Sequence, residues 1–214
     1  MKKLYLQDMR LIENAVQKAE SKTSGEIVPV IYNKCTNTQL IFPLLFILLS
    51  LTWHVLQDQW FPINFWEGHL FTQIGLPLLV VGAISFFLSQ APWVQRLFIS
   101  KRRREQFVRD RAELEFYRCG IPQTQDRTGI LLFVSLLERY SVVLADKRIA
   151  EKLPKETWDE VLSILNSKIT PQHFAQGFVP AIEKCGDILA AHLPKEASDT
   201  DELPNQPILR LDYV

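Results

Sequence analysis

The sequence predicts an α/β protein: a three-layer α/β/α sandwich with a small central sheet, interrupted by a two-helix transmembrane hairpin. Three observations carry this expectation. Apolar runs of strand length occur at Gly25–Tyr32, Thr128–Leu137 and Tyr140–Ala145. Amphipathic helical stripes precede and follow them. Two long uncharged stretches, residues 40–56 and 70–94, separate the first strand from the other two.

The first element is a helix from about Tyr5 to Glu20, because Met9, Ile12, Val16 and Ala19 recur at helical spacing and form one apolar stripe. Ser-Lys-Thr-Ser-Gly breaks it, and GEIVPVIY then reads as a strand. Pro29 has no N–H to donate, which places that strand at a sheet edge or a bulge. A single helix and strand cannot bury a core. Residues 1–33 are therefore the first part of a domain completed further along the chain.

Residues 40–94 form the expected hairpin. LIFPLLFILLSLTWHVL, Leu40 to Leu56, lies near the lower limit of the roughly 20 apolar residues that cross a bilayer, and the stretch from Leu70 to Val94 exceeds it. The loop between them, residues 57–69, contains Asp58 and Glu67 but no lysine or arginine. Arg96 and the run Lys101, Arg102, Arg103, Arg104 follow the second stretch. Lysine and arginine resist translocation, so this asymmetry puts the loop outside and both termini in the cytoplasm, as in a multi-pass protein of a bacterial inner membrane. Trp53, Trp60, Trp66 and Trp93 fall near the expected interfaces, where an indole keeps its ring in the apolar edge and its N–H in water. The same basic run suits anionic lipid headgroups, at about 1 kcal/mol per charge.

Residues 100–194 supply the rest of the domain. A charged stem helix from Ser100 to Arg118 ends at Cys119-Gly120. Thr128 to Leu137 is continuously apolar and reads as a strand buried on both faces, and a tight turn at Glu138-Arg139 leads into the strand YSVVLA. Trp158, Val161, Leu162, Leu165 and Ile169 mark one covering helix, and Phe174, Phe178, Ala181, Ile182, Cys185 and Leu189 mark another. Residues 195–214, polar and punctuated by proline, are expected to be a flexible tail.

Composition narrows the function. The chain carries 24 basic and 24 acidic residues, so no bulk field attracts nucleic acid. Cys35, Cys119 and Cys185 have neither zinc nor disulfide-framework spacing, and His54, His69, His173 and His192 are scattered. There is no GxSxG elbow, P-loop or GxGxxG fingerprint.

SGEI opening a strand, then DRTGILLFVSLLERYSVVLAD, ETWDEVLSIL and FAQGFVPAIEKCGDILAAHLP resemble the TPM domain family, over Tyr5 to Tyr32 and Glu113 to Pro194. The resemblance implies an α/β/α domain with the hairpin inserted after its first strand. It also implies roles ranging from photosystem repair to receptor accessory work, with calcium binding and weak acid phosphatase activity in some members. The residues suited to that chemistry are Asp126, before the central strand, and Asp146, after its hairpin partner; these are the candidate catalytic carboxylates. Together with Glu26 they are candidate ligands for Ca2+ or another divalent cation. A turn centred on Glu138-Arg139 pairs Asp146 near Leu131 and leaves Asp126 about five residues, roughly 17 Å, further along if extended. Lys147-Arg148 stand where relatives are expected to carry small, glycine-containing sequence, and two cations there oppose metal binding. With no compact catalytic constellation, the first expectation is an accessory, scaffold or quality-control module. Its partners would be the lipid bilayer and another membrane or cytoplasmic protein. The alternative is a weak divalent-metal-dependent acid phosphatase acting on phosphomonoesters.

Overall fold

The computed structural model describes residues 2–60, 74–168, 173–195 and 201–210. It divides into two compact units, Met1–Cys35 with Arg102–Val214, and Thr36–Lys101.

The first unit is α/β, built on a four-stranded sheet of order β3-β2-β1-β4. Helix α1 (Lys2–Glu20) leads into β1 (Glu26–Tyr32), which pairs parallel with β2 (Gly129–Ser135) from Glu26 opposite Gly129 to Tyr32 opposite Ser135. β3 (Tyr140–Ala145) returns antiparallel to β2. β1 is thus a central strand, not the edge that Pro29 suggested. Alternation along the strand explains why proline is tolerated. Glu26 N–H points to β2, where it meets the Thr128 carbonyl, so the N–H positions of Ile27, Pro29 and Ile31 point the other way. On that side β4 (Ile208–Arg210) begins only opposite Val30, so Pro29 forfeits no ladder bond. The expected flexible tail is corrected at the same place, because Ile208–Arg210 forms this fourth strand, parallel to β1.

Helices cover both faces. α1, α7 (Asp159–Lys168) and α8 (Ala175–His192) place Ile12, Val16, Leu165 and Phe178 on one side, against Ile27 and Ile130 of the sheet. α5 (Lys101–Arg118) packs Val108, Ala112 and Phe116 on the other, against Val30 and Phe133. β1 and β2 are buried along their full lengths, which is why they read as unbroken apolar runs. The α1–α8 crossing depends on Gly186, where an added Cβ would lie 2.7 Å from the Ala19 Cβ. Gly120, at φ 72°, takes the left-handed conformation that closes α5. On the α5 face the fully buried Glu115 accepts hydrogen bonds from the Tyr32 hydroxyl (2.7 Å) and from Arg118 (3.1 Å), so the charge enters the core with partners.

The second unit consists of α2 (Ile41–Trp60), α3 (Leu76–Gln90) and α4 (Pro92–Phe98). Ile41, Leu45 and Val94 are buried within it, and the Phe42 ring meets Phe86 edge-on at 6.4 Å. Leu51, Leu79 and Phe87 are more than half exposed. Among the described residues no single helix is long and apolar enough to cross a membrane. The second apolar stretch, expected as one span, bends by 87° between α3 and α4. The cause is local: Pro92 pushes Ala91 out of the helical region to φ −72°, ψ 124°. α3 alone, with 15 residues, reaches only about 22 Å. Most of the expected external loop, residues 57–69, lies outside the described residues.

Candidate functional site

The expected carboxylates lie at one end of the sheet with different partners. Asp146 N–H donates to the Gly129 carbonyl (2.9 Å), so Asp146 lies opposite Gly129, two positions nearer the start of β2 than expected. The shift arises because the connection spans Leu136 to Arg139, not Glu138-Arg139 alone. Arg139 adopts φ 51° there, and Glu138 accepts hydrogen bonds from the Ser135 hydroxyl and the Cys35 N–H. The Asp146 side chain caps α6 (Lys147–Lys152), accepting from Lys147 N–H at 2.6 Å. Asp126 is half exposed and pairs with Arg148 at 2.7 Å. Asp126, Asp146 and Glu26 therefore do not assemble as one ligand set. The two cations expected to oppose metal binding have structural roles in this arrangement, Arg148 as the Asp126 partner and Lys147 as the first residue of α6.

Glu26 belongs instead to a second cluster. One oxygen each from Glu20, Glu26 and Asp201 lie within 4.8 Å of one another. Glu20 is the last residue of α1, and the turn after it carries the chain back so that its Oε1 accepts the Ile27 N–H at 2.8 Å. That N–H points to the side of β1 where β4 has not yet begun, so the carboxylate takes the place of a neighbouring strand. Glu26 Oε1 accepts the Glu202 N–H (3.2 Å), and Glu202 in turn accepts from the Gln125 N–H. Lys195 donates to the Glu20 carbonyl at 3.1 Å. Gln17, Thr23 and Asn205 complete the wall of a cavity of about 220 Å³. Burial pushes the Glu20 carboxyl up to about 8; the Ile27 N–H and Lys195 act against this, and the charges of Glu26 and Asp201 add to it. Neither Glu20 nor Asp201 stood out in the sequence. Glu20 reads as the polar end of a helix and Asp201 as part of a polar tail. The one available signal was the β-prone PILRL after the acidic residues, which makes the tail a strand.

The third feature is the free edge of β3. Asp146 bonds to β2, so by alternation Ser141, Val143 and Ala145 turn their backbone groups away from the sheet. A groove of about 510 Å³ runs beside them, lined by Arg109, Tyr140, Leu153, Trp158 and Leu162 among others. Arg109 donates to the Tyr140 hydroxyl at 2.7 Å at one end of it. The cysteines are free, and burial raises the Cys35 thiol to about 12 and the Cys119 thiol to about 11, so neither is a thiolate at neutral pH.

Fold and clefts together define an α/β module that hosts a helical insertion after its first strand. No family model matches the chain, and no curated protein matches it. A solved structure that it resembles is the NMR structure of the BA42 protein from the psychrophilic bacterium Bizionia argentinensis, with 22% identity and a TM-score of 0.57 over 95% of this chain and 92% of that one. At that identity the likeness concerns the fold alone.

Proposed function

We propose that the protein is a membrane-anchored accessory module: residues 36–101 hold it to a bacterial inner membrane, and a TPM-like α/β unit on the cytoplasmic side binds an extended segment of another protein. The observation that carries this reading is the unpaired edge of β3 beside its groove. An incoming strand gains main-chain hydrogen bonds from Ser141, Val143 and Ala145, while the apolar floor of Leu153, Trp158 and Leu162 takes alternate side chains. The anchor is supported by the exposed apolar side chains of α2 and α3 and by the basic run Lys101–Arg104 that follows α4 in the chain. The phosphatase alternative has less support, because Asp126 is engaged by Arg148 and Asp146 by the start of α6.

Val143→Pro tests the edge. It deletes an N–H that points away from β2, so the β2–β3 ladder keeps its bonds. Full-length protein purified from native membranes is expected to lose its co-purifying partner on this substitution while amide exchange in β2 stays unchanged. Retention of the same partner at the same yield would overturn the reading. A reporter fused at Gln57 is expected to behave as external and terminal fusions as internal. Recovery of the protein in the aqueous fraction without detergent would remove the anchor.

A further inference from the structure

The Glu20–Glu26–Asp201 pocket contains a feature that protein binding at β3 does not use. Glu20 is only 8% exposed, and while its Oε1 accepts the Ile27 N–H, its Oε2 is buried in the wall of the cavity with no hydrogen-bond partner. A carboxylate oxygen in that position costs free energy unless something fills the site. Asn205 repeats the pattern. Its amide nitrogen donates to Asp201 at 3.0 Å, and its Oδ1, also buried, has no partner.

We propose that this pocket binds a single divalent cation of the Ca2+ class, and that the bound ion fastens the C-terminal segment carrying Asp201 and β4 to the body of the α/β unit. The chemistry of the donors sets the class of ion. They are all oxygens, with no histidine or cysteine among them, as hard cations require. Ca–O distances of about 2.4 Å place two ligands at most about 4.8 Å apart, and the three carboxylate oxygens meet that limit. Charge points the same way. The groups facing the cavity are three carboxylates and the ammonium of Lys195, and a dication balances them when all three acids are ionised. Without an ion, the high affinity of Glu20 for a proton does part of that work.

The ligands come from three places in the chain: the end of α1, the start of β1, and the segment after residue 200. The last is held by little else, namely the Glu202 bonds to Glu26 and Gln125 and the short β4 ladder. An ion that adds Asp201 to Glu20 and Glu26 therefore closes a loop between the two ends of the chain. The signature is specific. Binding should release close to one proton near pH 7, since Glu20 must ionise to ligate, and it should slow amide exchange at Ile208–Arg210.

The experiment is calorimetric titration of the full-length protein in detergent, freed of metal by chelation, with CaCl2 in two buffers of different ionisation enthalpy. Amide exchange is followed in the same samples. One site, proton release, and at least tenfold slower exchange in β4 at saturation are expected. Glu20→Gln and Asp201→Asn are each expected to weaken binding at least tenfold, and Glu20→Gln to abolish the proton release. No binding up to 10 mM CaCl2 would overturn the proposal, as would binding that both variants leave intact. Asp126→Asn serves as the control and should leave the affinity unchanged. If it removes binding, the ion sits elsewhere and the proposal fails.

Discussion

Phe133→Ala is expected to cost the α/β unit about 4 kcal/mol, within the range of roughly 3–5 kcal/mol for truncating a buried phenylalanine. Phe133 is at the centre of β2, fully buried, with β1 on one side and β3 on the other. Its ring lies 5.0 Å from that of Tyr32, and Tyr32 in turn donates to the buried Glu115. Truncation therefore leaves a cavity against an aromatic ring whose hydroxyl is held in place, and the neighbourhood has little freedom to collapse. A domain of this kind is stable by only about 5–15 kcal/mol in total. The loss should raise exchange rates of the slowest β1 and β2 amides about a thousandfold. The aromatic signal of the second unit would confuse a fluorescence measurement, so exchange is the better readout. A change below tenfold would mean that the α5 face of the sheet can repack.

Much of this fold is legible in the residues, and the parts that are not have identifiable causes. The stripe Met9, Ile12, Val16, Ala19 locates α1, and the continuous apolar runs locate β1 and β2, because burial on one face or on two leaves a direct periodic trace. Strand order leaves no such trace. Pro29 suggested an edge, yet β1 is central, because a proline is costly only where a neighbouring strand needs its N–H. β4 was hidden in a polar tail, since three residues are too few for periodicity to register. The bend at Ala91 was implicit in Pro92, but the uncharged run around it outweighed the proline when the stretch was read as one span. The candidate site was the least legible. Glu26 could be picked out at the start of a strand, whereas Glu20 and Asp201 become its neighbours only through folding, 181 positions apart at Glu20 and Asp201 themselves. Asp126 and Asp146 stood out because they flank strands, and strand ends are also where aspartates cap helices and pair with surface cations.

Stability of the metal-free protein is expected to fall as pH rises from about 5 to 9, with Glu20 responsible. A carboxyl raised from 4.5 in the unfolded chain to about 8 in the folded one holds its proton more tightly when folded. Between those values the folded state carries the extra proton, so each step up in pH favours unfolding. The contribution is fully present below about 4.5 and is lost as pH passes through about 8. At roughly 1.4 kcal/mol per unit, the shift corresponds to at most about 4 kcal/mol. Glu20→Gln isolates this term, because glutamine keeps an oxygen for the Ile27 N–H and carries no charge at any pH. In chelator, the variant is expected to match the parent at pH 5 and to exceed it at pH 9, as read from amide exchange of the α/β unit. Parallel pH profiles for the two proteins would show that Glu20 ionises freely in the folded state. Added Ca2+ should narrow the difference at pH 9 by stabilising only the parent, since the ion replaces the proton that the carboxylate has lost.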